Sequence, residues 1–236
     1  MKMRIYLAMD DTDSLNSRGT GKLARATGAV ISKQFHVDGI SRHQLYVHDD
    51  IPFTSHNSCA VIHIDAECRD DKEWIYETAK ECMLSDFVDG SDPGIAVACA
   101  DEIKPPLIAY GRDAQKVVLN QKKARTLAAS LGIRLEGLGG TEDGVIGTMA
   151  GLGLAKAGND GRFLMCGKIR EMTGPQNVAT LCAAGVDAVY TVDGHEVNDG
   201  MIIVEEGKSA KPCPVDGRKI LFVETIDGQY HAVKRG

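Results

Sequence analysis

The feature that most constrains the fold is an apolar stretch near the start of the chain, RIYLAM, which runs directly into DDTDS. Ile5, Leu7 and Met9 alternate with other residues and so have the two-residue period of a β-strand. Asp10 and Asp11 therefore fall at the carboxyl end of a strand, with side chains on opposite faces. A loop is predicted to follow them.

The carboxylate cluster at this strand end predicts a cation site. Asp10, Asp11 and Asp13 would repel one another unless a positive ion lay between them. Mg²⁺ is the expected ion, because it binds one or two protein carboxylates together with the phosphates of a substrate. The alternative is a solvated turn, in which Asp and Ser side chains only satisfy backbone N–H groups.

Composition indicates an ordinary globular protein. The 236 residues are 43% hydrophobic, enough for one large or two small domains with a core. No stretch has the length of a membrane span and the start is too short and acidic for a signal peptide, so a cytoplasmic protein is expected. The seven cysteines contain no C-x-x-C pair, and neither a zinc knuckle nor a disulfide frame is indicated. A net charge of −6 argues against a general nucleic-acid coat protein.

Hydrophobic periodicity predicts alternating helices and strands over the first part of the chain. Helices are expected up to about Phe35, over residues 71–83 and up to about Leu131, and strands over residues 45–47, 59–64 and 95–100. The GTGK sequence before the first helix half resembles the end of a P-loop. Its leading glycine is missing and leucine stands where Ser or Thr should bind magnesium, so we interpret it as the glycine-rich start of a helix.

A basic segment lies at the middle of the chain. Arg112, Lys116, Lys122, Lys123 and Arg125 lie on or beside a predicted helix. They form either a solvated helix face or a phosphate-binding ridge, and the sequence leaves both interpretations open.

A glycine-rich loop, GLGGTEDG, follows at residues 137–144 and leads into an apolar helical stretch. Such loops can bind phosphates, because the backbone approaches closely and the helix end offers N–H donors. The nucleotide-binding candidates are Gly139, Gly140, Gly144 and Gly147. The acids in the loop, at positions 142 and 143, would repel a bare phosphate and could equally cap a structural turn.

The last third of the chain changes to short strands and turns around one predicted helix, residues 175–184, which indicates a small α+β domain. The GNDG sequence at residues 158–161 is the expected linker. The predicted domains are therefore residues 1–158 and 159–236.

Together these motifs resemble the archaeal agmatinylcytidine synthetase family (TiaS), which attaches agmatine to the anticodon cytidine of an isoleucine tRNA. The resemblance rests on an ordered set of motifs: MDDTDS from Met9, Ile51-Pro52 with Asn57 and Ala60, DPG at 92–94, GVIGTMAGLG at 144–153, and PCPV at 212–215.

The resemblance implies an α/β (α+β) fold: a two-layer, ATP-dependent kinase-type domain followed by a smaller ferredoxin-like α+β domain. It implies that Asp10, Asp11 and Asp13 are catalytic residues of a Mg-ATP site. It also makes Thr12, Ser14 and Asn57 nucleotide-binding candidates beside the glycines of the loop.

This sequence departs from the family pattern at positions and modules that would bind tRNA. No OB-fold or zinc ribbon, the modules that grip tRNA in the family, is matched in this sequence. Thr54, Ser55 and His56 stand where the family has basic residues, and acids occupy its basic glycine-rich turn. Tight tRNA binding is therefore not expected.

These observations predict a Mg-ATP-dependent phosphoryl-transfer enzyme, of the kinase or synthetase kind, whose acceptor is an unidentified small molecule or RNA. One alternative is a non-catalytic nucleotide- or metal-binding module, and another is an RNA-binding accessory protein that uses the basic helix. Only His56 is assigned to the site among the histidines. The others are expected to be scattered or surface-exposed: His36, His43, His48, His63, His195 and His231.

Overall fold

A computed structural model describes residues 2–12, 19–51, 57–86, 88–205 and 207–235. The chain divides into two compact units, Met1–Ala157 and Gly158–Gly236. Both units combine helices and strands, so the expected α+β class is confirmed. No helix of the described residues is long and apolar enough to cross a membrane.

The first unit is built around a sheet whose central strand is β1. In the order of the sheet, its strands are β5-β4-β1-β3-β2, and each neighbouring pair is antiparallel. The strands are β1 (Met3–Asp10), β2 (His36–Gln44), β3 (Ser58–Ala66), β4 (Gly94–Cys99) and β5 (Arg134–Gly137). Residues 45–47, expected to be a strand, follow the end of β2 instead.

Helices cover both faces of this sheet, so the unit has one layer more than the two expected. On one face, Tyr6 and Ala8 of β1 pack into a core with the last three helices, while Ile40 of β2 contacts the first helix on the other face. Both faces are buried because the sequences of β1, β3 and β4 are apolar at nearly every position. The helices are α1 (Thr20–Ile31), α2 (Asp71–Ser85), α3 (Pro105–Asp113), α4 (Gln121–Leu131) and α5 (Gly144–Ala157).

Helix α5 packs unusually close to its neighbours because its sequence alternates glycine and alanine with larger apolar residues. A Cβ at Gly153 would lie 2.2 Å from the Leu107 carbonyl oxygen of α3. A Cβ at Gly151 would lie 2.9 Å from the Cys59 sulfur of β3. Gly144 and Gly147 likewise let the first turn of α5 lie directly beside the end of β1.

The second unit is a sheet with one short helix. Its strands run β10-β11-β12-β9-β7, with β8 also pairing with β11. Two of the pairings, β8 with β11 and β9 with β12, are parallel. The elements are β6 (Arg162–Met165), a 3₁₀ turn (Ile169–Glu171), β7 (Gly174–Asn177), α6 (Val178–Ala183), β8 (Ala188–Thr191), β9 (Met201–Val204), β10 (Cys213–Val215), β11 (Arg218–Ile226) and β12 (Gln229–Ala232).

Candidate nucleotide and metal site

One edge of the first unit's sheet gathers most of the sequence-predicted site. Asp10, the last residue of β1, pairs with Gly94 at the start of β4, and Gly94 pairs with Gly137 at the end of β5. The antiparallel order therefore places the acidic strand end and the glycine-rich loop at the same edge, although these segments are far apart in sequence.

The Asp10 carboxylate lies against the first turn of α5. A Cβ at Gly147 would be 1.7 Å from Oδ2 of Asp10, and a Cβ at Gly144 would be 3.1 Å from the Asp10 carbonyl oxygen. The Asp10 residue is 8% exposed. A buried carboxylate is favoured here because the amino end of a helix carries partial positive charge. Asp10 is therefore held rigidly at the edge.

Asp11 projects beyond the end of the strand. Its φ of 49° lies in the left-handed region, which Asp tolerates better than most residues. It is partly buried, so it reaches solvent more readily than Asp10. Asp13 and Ser14, the remaining members of the predicted cluster, lie outside the described residues.

Thr12 links the acidic segment to α1. Its hydroxyl is 3.1 Å from the hydroxyl of Thr20, the first residue of that helix, and both residues are buried. Gly19, with a φ of 83°, precedes the helix, as expected for a glycine-rich start. The structure gives Thr12 a partner inside the protein, and its predicted contact with nucleotide stays a prediction.

Asn57 closes the connection between β2 and β3. Its Nδ2 donates to the Tyr46 carbonyl oxygen at 2.6 Å, and its own carbonyl oxygen accepts from the Leu45 N–H at 2.8 Å. Leu45 reaches the same helix turn as Asp10, since its Cδ1 would be 2.9 Å from a Cβ at Gly147. Asn57 therefore lies near the edge, with its amide engaged by backbone. Thr54, Ser55 and His56 are outside the described residues.

The glycine-rich loop is fastened to the turn before β4. Leu138 N–H donates to the Pro93 carbonyl oxygen at 2.7 Å, and Gly144 N–H donates to the Asp92 carbonyl oxygen at 2.9 Å. The Thr141 N–H donates to the Asp92 carboxylate. The Asp-Pro-Gly sequence signals a turn, but nothing in the sequence alone assigned Asp92 to the loop.

The acids of the loop have partners in α4. Glu142 forms an ion pair with Arg125. Asp143 accepts from Gln121 Nε2 at 2.8 Å, and the same nitrogen donates to the Thr141 carbonyl oxygen at 2.6 Å. Of the two interpretations of these acids, the structure favours a structural turn. The charge of Glu142 is also partly neutralised by Arg125, which reduces its repulsion of a phosphate.

Adjacent N–H groups of the loop remain for a ligand. Within the described part of the chain, the N–H groups of Gly139, Gly140 and Asp143 donate to no acceptor, whereas those of Leu138, Thr141, Glu142 and Gly144 are used within the protein. Gly140 has a φ of 61°, a conformation that glycine adopts without strain. Gly139 and Gly140 are neighbours, half-buried and exposed respectively, and adjacent backbone donors of this kind suit an anion.

The residues present fit a magnesium ion in part. Asp10 and Asp11 supply hard carboxylate oxygens at one strand end, which meets the need of Mg²⁺ for one or two protein carboxylates beside substrate phosphates. In the described ranges, no group of three or more His, Cys, Asp or Glu side chains is arranged to hold a metal by itself. A resident all-protein cage is therefore not supported by these ranges.

A buried polar cluster was missed by reasoning from the sequence. The Ser41 hydroxyl lies 2.8 Å from Nε2 of His43 and 2.7 Å from Nε2 of His63. The expectation that these two histidines are surface-exposed is wrong, because His43 is fully buried and His63 is 7% exposed. The spacing of Ser41 and His43 on one strand face was the available signal.

Solved structures share this fold. The apo form of TiaS, an agmatidine synthetase for an isoleucine tRNA, matches with a TM-score of 0.54 and 19% identity over 64% of this chain and 35% of that chain. TiaS in complex with its tRNA and ATP matches with a TM-score of 0.55 and 20% identity over 64% and 36% of the chains. A tRNA fluorescent labeling enzyme gives the same four values. No family model matches the chain. No curated protein matches its sequence.

The likeness expected from the motifs is thus confirmed at the level of fold. The matched region spans little more than a third of the TiaS chains, whose solved complexes also include one with tRNA, AMPCPP and agmatine.

Proposed function

We propose that the protein is an ATP-dependent enzyme of the kind that modifies RNA, and that it transfers a phosphoryl or nucleotidyl group of Mg-ATP toward an acceptor. The acceptor is a small molecule or an RNA. The observation that carries this proposal is the convergence, at one sheet edge, of the Asp10 carboxylate, the first turn of α5 and the glycine-rich loop. The solved TiaS complexes with ATP and tRNA share the fold.

Each part of this edge has a role in the proposed reaction. Asp10, Asp11 and Asp13 would bind Mg²⁺, which would neutralise part of the phosphate charge. The N–H groups of Gly139 and Gly140 would bind phosphate oxygens. Transfer then depends chiefly on holding the reacting groups in line, because phosphoryl transfer needs positioning and charge stabilisation more than a protein nucleophile.

A non-catalytic nucleotide-binding module would use the same edge, and turnover separates the two functions. The module binds Mg-ATP and releases it unchanged, whereas the enzyme, with its acceptor present, releases ADP if it transfers a phosphoryl group and pyrophosphate if it transfers a nucleotidyl group. Assays that offer agmatine and RNA together, and each alone, therefore identify the acceptor class as well.

The proposal is tested by titrating ATP calorimetrically with and without Mg²⁺. We expect metal-dependent binding by the wild type and a loss of at least about tenfold in Asp11→Asn and Asp13→Asn, since each removes one negative charge from the metal site. Thermal stability without ligand should stay level or rise, because repulsion in the cluster is relieved.

Asp89→Asn is the matched control, since Asp89 is exposed and lies in the same unit. It should bind Mg-ATP as the wild type does. If the carboxylates only cap backbone N–H groups, the variants at 11 and 13 lose about 0.5–2 kcal/mol of stability and metal binding is absent throughout. No Mg-ATP binding by folded wild type at millimolar concentration contradicts the proposal.

A further inference from the structure

Asp92 is the residue through which the glycine-rich loop acquires its shape. Its carbonyl oxygen accepts from the Gly144 N–H at 2.9 Å, and its carboxylate accepts from the Thr141 N–H. The next residue, Pro93, accepts from the Leu138 N–H at 2.7 Å. One short turn thus holds the loop at its beginning, middle and end.

Gly140 of the loop packs closely against the Asp92 carboxylate. A Cβ at Gly140 would lie 2.1 Å from Oδ1 of Asp92 and 2.7 Å from the Ser91 carbonyl oxygen, distances that no side chain could occupy. Gly140 must therefore be a glycine for the Asp92 carboxylate to reach the Thr141 N–H. The pair of residues forms a matched contact between two segments that are far apart in sequence.

The contact decides which backbone donors of the loop are used within the protein. Asp92 takes the N–H groups of Thr141 and Gly144, so neither is available to a ligand. Those of Gly139 and Gly140 have no acceptor within the described ranges. Gln121 Nε2 donates to the Thr141 carbonyl oxygen at 2.6 Å, which holds the next peptide, between Thr141 and Glu142.

We infer that Asp92 is a positioning residue, which fixes the loop so that the N–H groups of Gly139 and Gly140 are aimed at the phosphates of the nucleotide. This inference rests on the proposed function for its ligand, and it adds a residue that does not itself touch that ligand. The carboxylate works as a hydrogen-bond acceptor for Thr141. Its negative charge is not required, because an amide oxygen can accept the same bond.

The acceptor role predicts a difference between two substitutions. Asp92→Ala removes the acceptor, and Mg-ATP affinity should fall by about tenfold, which is what the loss of one well-placed interaction produces. Asp92→Asn keeps an acceptor oxygen and should retain affinity within about threefold of the wild type. Asp89→Ala, an exposed change three residues earlier, is the matched control and should bind as the wild type does.

Amide hydrogen exchange without nucleotide supplies a readout that does not depend on ATP. In Asp92→Ala the Thr141 N–H should exchange faster, since its acceptor is gone. The Gly144 N–H should stay protected, since its acceptor is the main chain of Asp92. A merely structural role would instead lower the melting temperature and accelerate both amides together, with affinity unchanged once the folded fraction is counted.

The outcomes separate the two proposals. A wild type that binds no Mg-ATP overturns the proposed function and the positioning role with it. A wild type that binds, with Asp92→Ala binding equally well, overturns the positioning role alone. An Asp92→Asn variant as weak as Asp92→Ala also overturns it, because the charge and not the hydrogen bond would then be what matters.

Discussion

Gly147 sets how closely the Asp10 carboxylate can approach helix α5. A Cβ at this position would lie 1.7 Å from Oδ2 of Asp10, so in Gly147→Ala either the carboxylate or the helix must move. We expect a stability loss of about 1–3 kcal/mol, typical of overpacking, together with a fall in Mg-ATP affinity. Melting curves and calorimetric titration measure the two effects.

Gly151→Ala is the control for that prediction, since it crowds α5 against the Cys59 sulfur at 2.9 Å and leaves Asp10 alone. It should lose stability and keep its affinity for Mg-ATP. If Gly147→Ala binds Mg-ATP as tightly as Gly151→Ala does, the position of the Asp10 carboxylate does not matter for binding.

Ser41 carries a second prediction at the level of single residues. Its hydroxyl bridges Nε2 of His43 and Nε2 of His63 in the buried sheet. Ser41→Ala removes one hydrogen bond from each of the two nitrogens, and losing these two buried bonds should cost about 1–3 kcal/mol. Urea unfolding should show this loss, whereas the exposed change Ser130→Ala should stay within about 0.5 kcal/mol. A fully stable Ser41→Ala would argue against the bridge.

Part of the candidate site could be predicted from individual residue types in the sequence. Asp10 could be placed at a strand end because alternation fixes the strand register, and Gly144 because a glycine loop precedes an apolar helix. The hold of Asp92 on Thr141 could not be predicted, because it depends on two segments meeting in space. The same is true of the bridge at Ser41.

At the level of elements, α5 depends on its glycines for packing. A Cβ at Gly153 would lie 2.2 Å from the Leu107 carbonyl oxygen, a main-chain atom that cannot rotate away. Gly153→Ala should therefore separate α3 from α5 and cost about 1–3 kcal/mol or more. Unfolding curves measure this cost. A neutral result would mean that the two helices can shift freely.

Strand β5 and helix α2 are joined by a charged network that predicts a pH dependence. Burial opposes ionisation of Glu136, but Lys80 and the Tyr76 hydroxyl outweigh it and hold the pKa of Glu136 below its ordinary value of 4.5. A lowered pKa stabilises the fold above the ordinary value, and this stabilisation is lost as the pH falls through the lowered one.

Glu136→Gln should therefore be less stable than the wild type near pH 7, and the difference should vanish in the acid range below 4.5. High salt should reduce the difference too, since the Glu136 side chain is 39% exposed. A difference that persists at acid pH would assign the effect to packing instead of charge.

Helices and strands with a clear hydrophobic period could be predicted from the sequence, whereas short elements could not. The sequence placed α2 and β4 nearly as observed, at Asp71–Ser85 and Gly94–Cys99. It gave no helix for α3, Pro105–Asp113, which begins with two prolines, residues that usually end a helix. Proline is tolerated in the first turn, where its missing N–H would have had no partner.

At the scale of the whole molecule, ion pairs partly neutralise the basic segment. Arg125 is paired with Glu142 and Lys123 with Asp113, the latter at 4.0 Å, and both Lys122 and Lys123 are exposed. With a net charge of −6, we expect weak binding of bulk tRNA at physiological salt. Fluorescence anisotropy across a salt series measures it. Submicromolar binding that disappears in Lys122→Ala with Lys123→Ala would contradict this and favour the RNA-binding accessory function.

The place of β1 at the centre of its sheet has a consequence for how the chain folds. Its partners β3 and β4 are made later, and the turn of α5 that receives the Asp10 carboxylate is made last in this unit. Contacts between such distant segments form slowly, because a long loop must close first. During synthesis the acidic end of β1 therefore cannot contact α5 until most of the unit has been made. The candidate site forms only when folding of the unit is nearly complete.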